Sequence, residues 1–115
     1  MKIYRVEKDG KGPYRNFNLT MYKFSLHCST YGRPGIYDDT ILSENIPTNH
    51  SMYHYGFTSK KSLRKWFKAF NNWLIEKDFS ISIYDGKPIR GSTQCLFDKD
   101  DSKLVCTVLV KDWKW

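Results

Sequence analysis

The sequence predicts an α+β protein with a single compact domain over residues 1–115: one main amphipathic helix packed on a largely antiparallel β-sheet. Three observations lead there. Residues 58–77 carry a clear helical period, with Leu63, Trp66, Phe67, Phe70, Trp73 and Leu74 recurring at three- and four-residue spacing. Several other segments alternate apolar and polar residues at the strand period of two. Turn pairs such as Asp85-Gly86 separate those segments at antiparallel spacing.

The helix is the organising element. Ser59 stands at the N-cap position, ahead of the periodic run. The aromatic side must cover a sheet, since each fully buried large side chain contributes roughly 2 kcal/mol. Lys60, Lys61, Arg64, Lys65 and Lys68 fall on the other side. Cations in the first turns oppose the helix dipole, and Glu76 near the far end opposes it too. A helix start built this way suits an anion, with backbone N–H groups, the Thr58 and Ser59 hydroxyls and the lysines converging on it.

Residues 2–7 alternate and predict a first strand, ended by the turn residues 9–13. Residues 14–17 are irregular. Residues 19–28 alternate as a half-buried strand, with helix as the alternative. Residues 31–35 read as a loop, 38–42 as a short helix or turn, and 47–52 as a second loop. Residues 52–57 form a short strand leading into the helix. Beyond it, Phe79, Ile81 and Ile83 alternate with Ser80, Ser82 and Tyr84. Residues 88–90 are a brief extended link. Residues 93–97 and 104–110 predict a hairpin across residues 98–103. In that register Cys95 and Cys106 would face each other as two reduced, buried thiols.

The 115 residues suffice for a core without disulfide or metal staples. Three cysteines, Cys28, Cys95 and Cys106, argue against a disulfide framework. The first residues lack an apolar leader, and no run reaches membrane-spanning length, so the expectation is a cytoplasmic protein with no membrane contact. A net charge of +7 and a pI near 9.3 favour an anionic partner: nucleic acid, an acidic protein or a phosphorylated molecule.

Sites with defined chemistry are not in evidence. His50 and His54 lack the close cysteine pair of a structural zinc site. Asp98, Asp100 and Asp101 lack the glycine and closing glutamate of a calcium loop. His27 and Cys28 are strand neighbours pointing to opposite faces. Neither a Gly-x-Ser-x-Gly elbow nor a glycine-rich phosphate loop occurs. Aromatic residues do alternate with cations in Tyr4-Arg5, Tyr14-Arg15, Lys65-Trp66 and residues 113–115, a pattern that suits single-stranded nucleic acid as well as alternating strands.

Two resemblances follow from particular residues. Tyr4-Arg5, then Phe57-Thr58-Ser59 running into the helix, then residues 92–97 ahead of a late strand, resemble the segment order of arginine-type ADP-ribosyltransferases. That resemblance implies an NAD-binding fold using Arg5, Thr58, Ser59 and Gln94. Gln94 occupies the family's catalytic glutamate position and cannot supply its charge, so the implied form is degenerate. The Tyr-Arg-Val-Glu opening, Gly-Pro-Tyr-Arg, and Tyr-Gly-Phe-Thr-Ser-Lys before Trp-Phe resemble small uncharacterised proteins of bacteriophages and mobile elements. Such proteins often bind and block host machinery, and they work in the host cytosol.

The expectation from the sequence is therefore a non-enzymatic binding or inhibitor protein without cofactor or metal. Its partner would be an acidic host protein or nucleoprotein complex, a defence system such as CRISPR included. Its anion-facing residues would be Ser59, Lys60, Lys61, Arg64, Lys65 and Lys68, joined by Arg5 and Arg15. The alternatives are the degenerate NAD-binding domain and direct binding to nucleic acid.

Overall fold

The computed structural model describes residues 1–12, 53–68, 71–91 and 94–115. The architecture is α+β, and helices cover one face of an antiparallel sheet. Strand β1 is Lys2–Glu7, β2 His54–Gly56, β3 Ser80–Asp85, β4 Ile89–Arg90, β5 Cys95–Phe97 and β6 Lys103–Leu109. Helix α1 is Lys60–Phe67 and α2 is Asn71–Glu76. The strands form two antiparallel sheets, ordered β1-β3-β6 and β2-β5-β4. One bridge joins them: Tyr4 and Phe57 exchange backbone hydrogen bonds of 2.7 and 2.8 Å.

β1 lies between two layers, and its alternation assigns one side chain to each. Tyr4 and Val6 pack with Leu63, Trp66, Phe67, Leu74 and Ile81 in the larger core, beneath the helices. Ile3 points the other way and packs with Tyr84, Cys95 and Phe97 against the second sheet. The predicted aromatic stripe is core: Leu63 and Leu74 are fully buried, and Phe57 meets Trp66 and Phe67 at ring distances of 5.6 and 5.9 Å. The chain's last residues close over this core, where Trp115 Nε1 donates to Asn71 Oδ1 at 2.9 Å.

Local chemistry sets the ends of the elements. Asp9 and Gly10 both take positive φ, +53° and +78°, and reverse β1 in a tight turn closed between Lys8 and Lys11. α2 ends where Asp78 takes φ +59°. Its N–H donates to the Ile75 carbonyl and that of Phe79 to the Leu74 carbonyl, a left-handed cap that satisfies two helix-end carbonyls.

The Arg5–Glu7 side of β1 holds a buried ionic cluster. Glu7 Oε2 accepts from Arg5 Nε and from Lys99 Nζ, each at 2.9 Å, and Glu7 Oε1 accepts from the Tyr84 hydroxyl at 2.6 Å. Arg5 Nη1 also donates to the Tyr55 carbonyl at 2.8 Å. Burial pushes the Glu7 carboxyl up, but hydrogen bonds from Tyr84 and Lys99 outweigh it and hold the carboxyl at about 2. Burial and the same bond push the Tyr84 hydroxyl above the ordinary tyrosine range.

The helical stretch over residues 58–77 holds α1 and α2; Lys68 keeps helical backbone angles, and residues 69–70 between the two lie outside the described residues. Three expectations are corrected. The strand at residues 52–57 is shorter, His54–Gly56, with Phe57 as a bridge. The hairpin between residues 93–97 and 104–110 does not form. β5 pairs with β2 and β4, while β6 pairs with β3. The reason is burial: all three β5 residues are buried and belong between the layers, whereas β6 is largely exposed. Cys95 and Cys106 therefore lie in different sheets. Cys95 is buried, and burial pushes its thiol up to about 12, whereas Cys106 is exposed. The strand, loop and short-helix expectations within residues 13–52 lie outside the described residues.

Two outcomes test this account. Glu7→Gln is expected to lower stability by about 3 kcal/mol, because it leaves buried Arg5 without its counter-ion. The native carboxyl titrates below its unfolded value of about 4.3. Its stabilisation is then complete above that pH and is lost as pH falls through about 2. Thermal melts from pH ~5 to ~2 should show a shallower decline for the variant; parallel curves would remove Glu7 from the acid response. Gly56→Ala places a Cβ 2.6 Å from Ile3 Cγ2 and 3.2 Å from the Tyr4 carbonyl oxygen. It should cost about 1–3 kcal/mol in urea unfolding, and an unchanged midpoint would contradict the packing of the two sheets.

Candidate partner-binding surface

The candidate surface is the solvent side of α1 and the cleft at its start. Ser59 is extended, at φ −139° and ψ 149°, and its Oγ accepts from the Ser62 backbone N–H at 3.1 Å. This fixes the first turn and leaves the Lys60 and Lys61 N–H groups without intrahelical acceptors, as at any helix start. No acidic residue stands in that turn.

Leu63, Trp66 and Phe67 anchor the helix, and the period of 3.6 sends Lys60, Lys61, Arg64, Lys65 and Lys68 to solvent. All five are exposed. Among the described residues, no salt bridge to an acidic side chain forms at Lys60, Lys61, Arg64 or Lys68. Lys60 Nζ lies 5.5 Å from the centre of the Trp113 ring, a cation–π contact at the helix start.

Beside the first turn opens a cleft of about 250 Å³. Thr58, Ser59 and Ser62 line it from the helix side, and Arg90, Gly91 and Gln94 from the second sheet. Gln94 is only 7% exposed. Pairing of Arg90 with Cys95 across β4 and β5 brings Arg90 and Gln94 to the same wall. The lining is mainly polar, with hydroxyl, amide and guanidinium groups able to bind an anion or a carboxylate-rich loop.

The residues expected from the sequence divide into three groups. Ser59 and the five α1 cations share one exposed side. Arg5 does not join them: it is 6% exposed and bound by Glu7 and the Tyr55 carbonyl, which corrects its expected place on the anion-facing surface. The second sheet covers the strand face that alternation alone assigns to solvent. Arg15 lies outside the described residues. Thr58, Ser59 and Gln94, grouped by the resemblance to ADP-ribosyltransferases, do line one cleft; Arg5, the fourth member, is not among its lining residues. Arg90 went unrecognised, because a two-residue strand leaves no period to read.

Among the described residues, no group of three potential metal ligands occurs, and no helix is long and apolar enough to cross a membrane. No curated protein and no solved structure matches the chain. The family model for the bacteriophage T4 Y00F protein matches residues 1–111. That span covers nearly the whole sequence, so the chain belongs to the bacteriophage T4 Y00F protein family.

Proposed function

We propose that this phage protein is a binding protein that blocks or redirects an acidic host protein or nucleoprotein, with a host defence complex such as CRISPR as one such target. The observation that carries the reading is the division of α1. One side is committed to the core, and the other presents Lys60, Lys61, Arg64, Lys65 and Lys68 to solvent with no acid in the first turn. A helix placed this way has little structural use for five exposed cations, which suit a surface of Asp, Glu or phosphate groups. Arg90, across the cleft, extends the positive field beyond the helix.

Direct binding to nucleic acid is the second reading. It is favoured by Trp113 beneath Lys60, which sets a ring beside a cation at the helix start. The NAD reading has less behind it, since Arg5 is held by Glu7 and away from the cleft lining.

The test is Lys61→Glu, Arg64→Glu and Lys65→Glu combined. All three side chains are exposed, so the fold should survive. Affinity for a partner captured from host lysate should fall roughly 100-fold, on the order of 1 kcal/mol per reversed charge. Undiminished capture by the folded triple variant would sink the proposal. In parallel, fluorescence anisotropy with duplex DNA and single-stranded RNA should show no binding at low salt. Tight binding whose logarithm falls linearly with log salt would instead put the nucleic-acid reading first.

A further inference from the structure

We infer that the cleft beside α1 is a socket for one carboxylate, the side chain of an Asp or Glu on the partner protein; this assignment rests on the proposed acidic partner. Donors with nothing to bind carry it. Ser59 Oγ accepts from the Ser62 N–H and donates to Ser62 Oγ at 3.0 Å. That bond takes a lone pair of Ser62 and leaves the Ser62 hydroxyl proton to point elsewhere. Among the described residues, neither the Thr58 hydroxyl nor the Arg90 guanidinium has a hydrogen-bond or ion-pair partner. All three groups line the one cleft, and Thr58 and Ser62 are half-buried there. The wall that carries Arg90 is held in place. Arg90 pairs with Cys95 across β4 and β5, and the Gly91 N–H donates to the Gln94 carbonyl at 2.8 Å.

Charge and size select the occupant. Among the described lining residues none is acidic, and the Met1 ammonium is already matched by Asp85 at 2.8 Å. The charge left over is that of Arg90, which suits a monoanion. A phosphate monoester carries about −1.5 to −2 near pH 7 and asks for more cations. A nucleic-acid phosphodiester is bonded on both sides and rides over a surface, whereas a carboxylate ends its side chain and can enter a cleft. The planar guanidinium takes a carboxylate through two parallel N–H bonds, and the Thr58 and Ser62 hydroxyls add donors from the helix side. The cleft's volume of about 250 Å³ lies below the roughly 300–1,000 Å³ of pockets for drug-sized ligands, so it suits the end of a side chain better than a dinucleotide.

Nitrogen-15 NMR of the whole chain at low salt, titrated with blocked hexaglutamate, tests this. The peptide should move the Arg90 Nε–H signal to saturation, and hexaglutamine should not. Arg90→Gln should weaken hexaglutamate binding about tenfold and Thr58→Val roughly threefold, with the dispersed spectrum of the wild type kept in both. The α1 charge-reversal variant separates this inference from the proposed function. If lysate capture fails with that variant while Arg90→Gln and Thr58→Val still bind hexaglutamate like wild type, the α1 surface stands and the socket is overturned. A wild-type Arg90 signal that hexaglutamate does not move overturns it too. So does inorganic phosphate or single-stranded RNA that moves this signal at lower concentration than the peptide.

Discussion

The Glu7 carboxylate is the interaction on which the arrangement of layers depends. It takes hydrogen bonds from its own strand through Arg5, from β3 through Tyr84, and from the turn before β6 through Lys99. Arg5 carries the connection on to β2 at the Tyr55 carbonyl. Both charges are buried, where an unmatched ion is unfavourable by several kcal/mol. Misplacing any one partner would therefore strand the others. Apolar contacts between Ile3, Tyr84 and Phe97 hold the sheets together, but they tolerate small slips that a hydrogen-bonded carboxylate does not. The cluster fixes the registration of the two sheets, and with it the wall of the cleft formed by β4 and β5.

That registration connects the core to the basic surface. The Tyr4–Phe57 bridge ties β1 to the residue immediately before the Thr58-Ser59 cap. The start of α1 is thus set by backbone hydrogen bonds to β1, and Ser59 then turns the chain into the helix. The cations on α1 inherit a rigid base, although their own side chains extend into solvent.

Elements whose partners lie within a few residues were legible in the sequence. The Ser59 cap, the buried side of α1 and the strands at residues 2–7 and 80–85 all follow from local period and chemistry. Pairings chosen by tertiary burial were not. Symmetry about Asp100-Asp101 suggested a hairpin, yet Asp98 Oδ1 accepts from the Asp100 N–H and starts a short 3₁₀ turn that carries Lys99 to Glu7. β5 and β6 then part into different sheets. The same limit hid Arg5: period two separates the two faces of a strand, but it cannot say that a second sheet covers the polar one. Of the candidate surface, the α1 cations were readable, and the contribution of Arg90 was not.

β1 also shapes the birth of the protein. It leaves the ribosome well before its neighbour β3, which does not begin until residue 80. At about 5–20 residues per second, the nascent strand waits several seconds for β3. Over that interval Lys2, Arg5, Glu7 and Lys8 are hydrated charges interrupting a short β-prone run, which hinders it from pairing with other chains. The ions that later lock the sheets together thus serve first as protection, and long-range pairing of this kind makes folding a late and comparatively slow event.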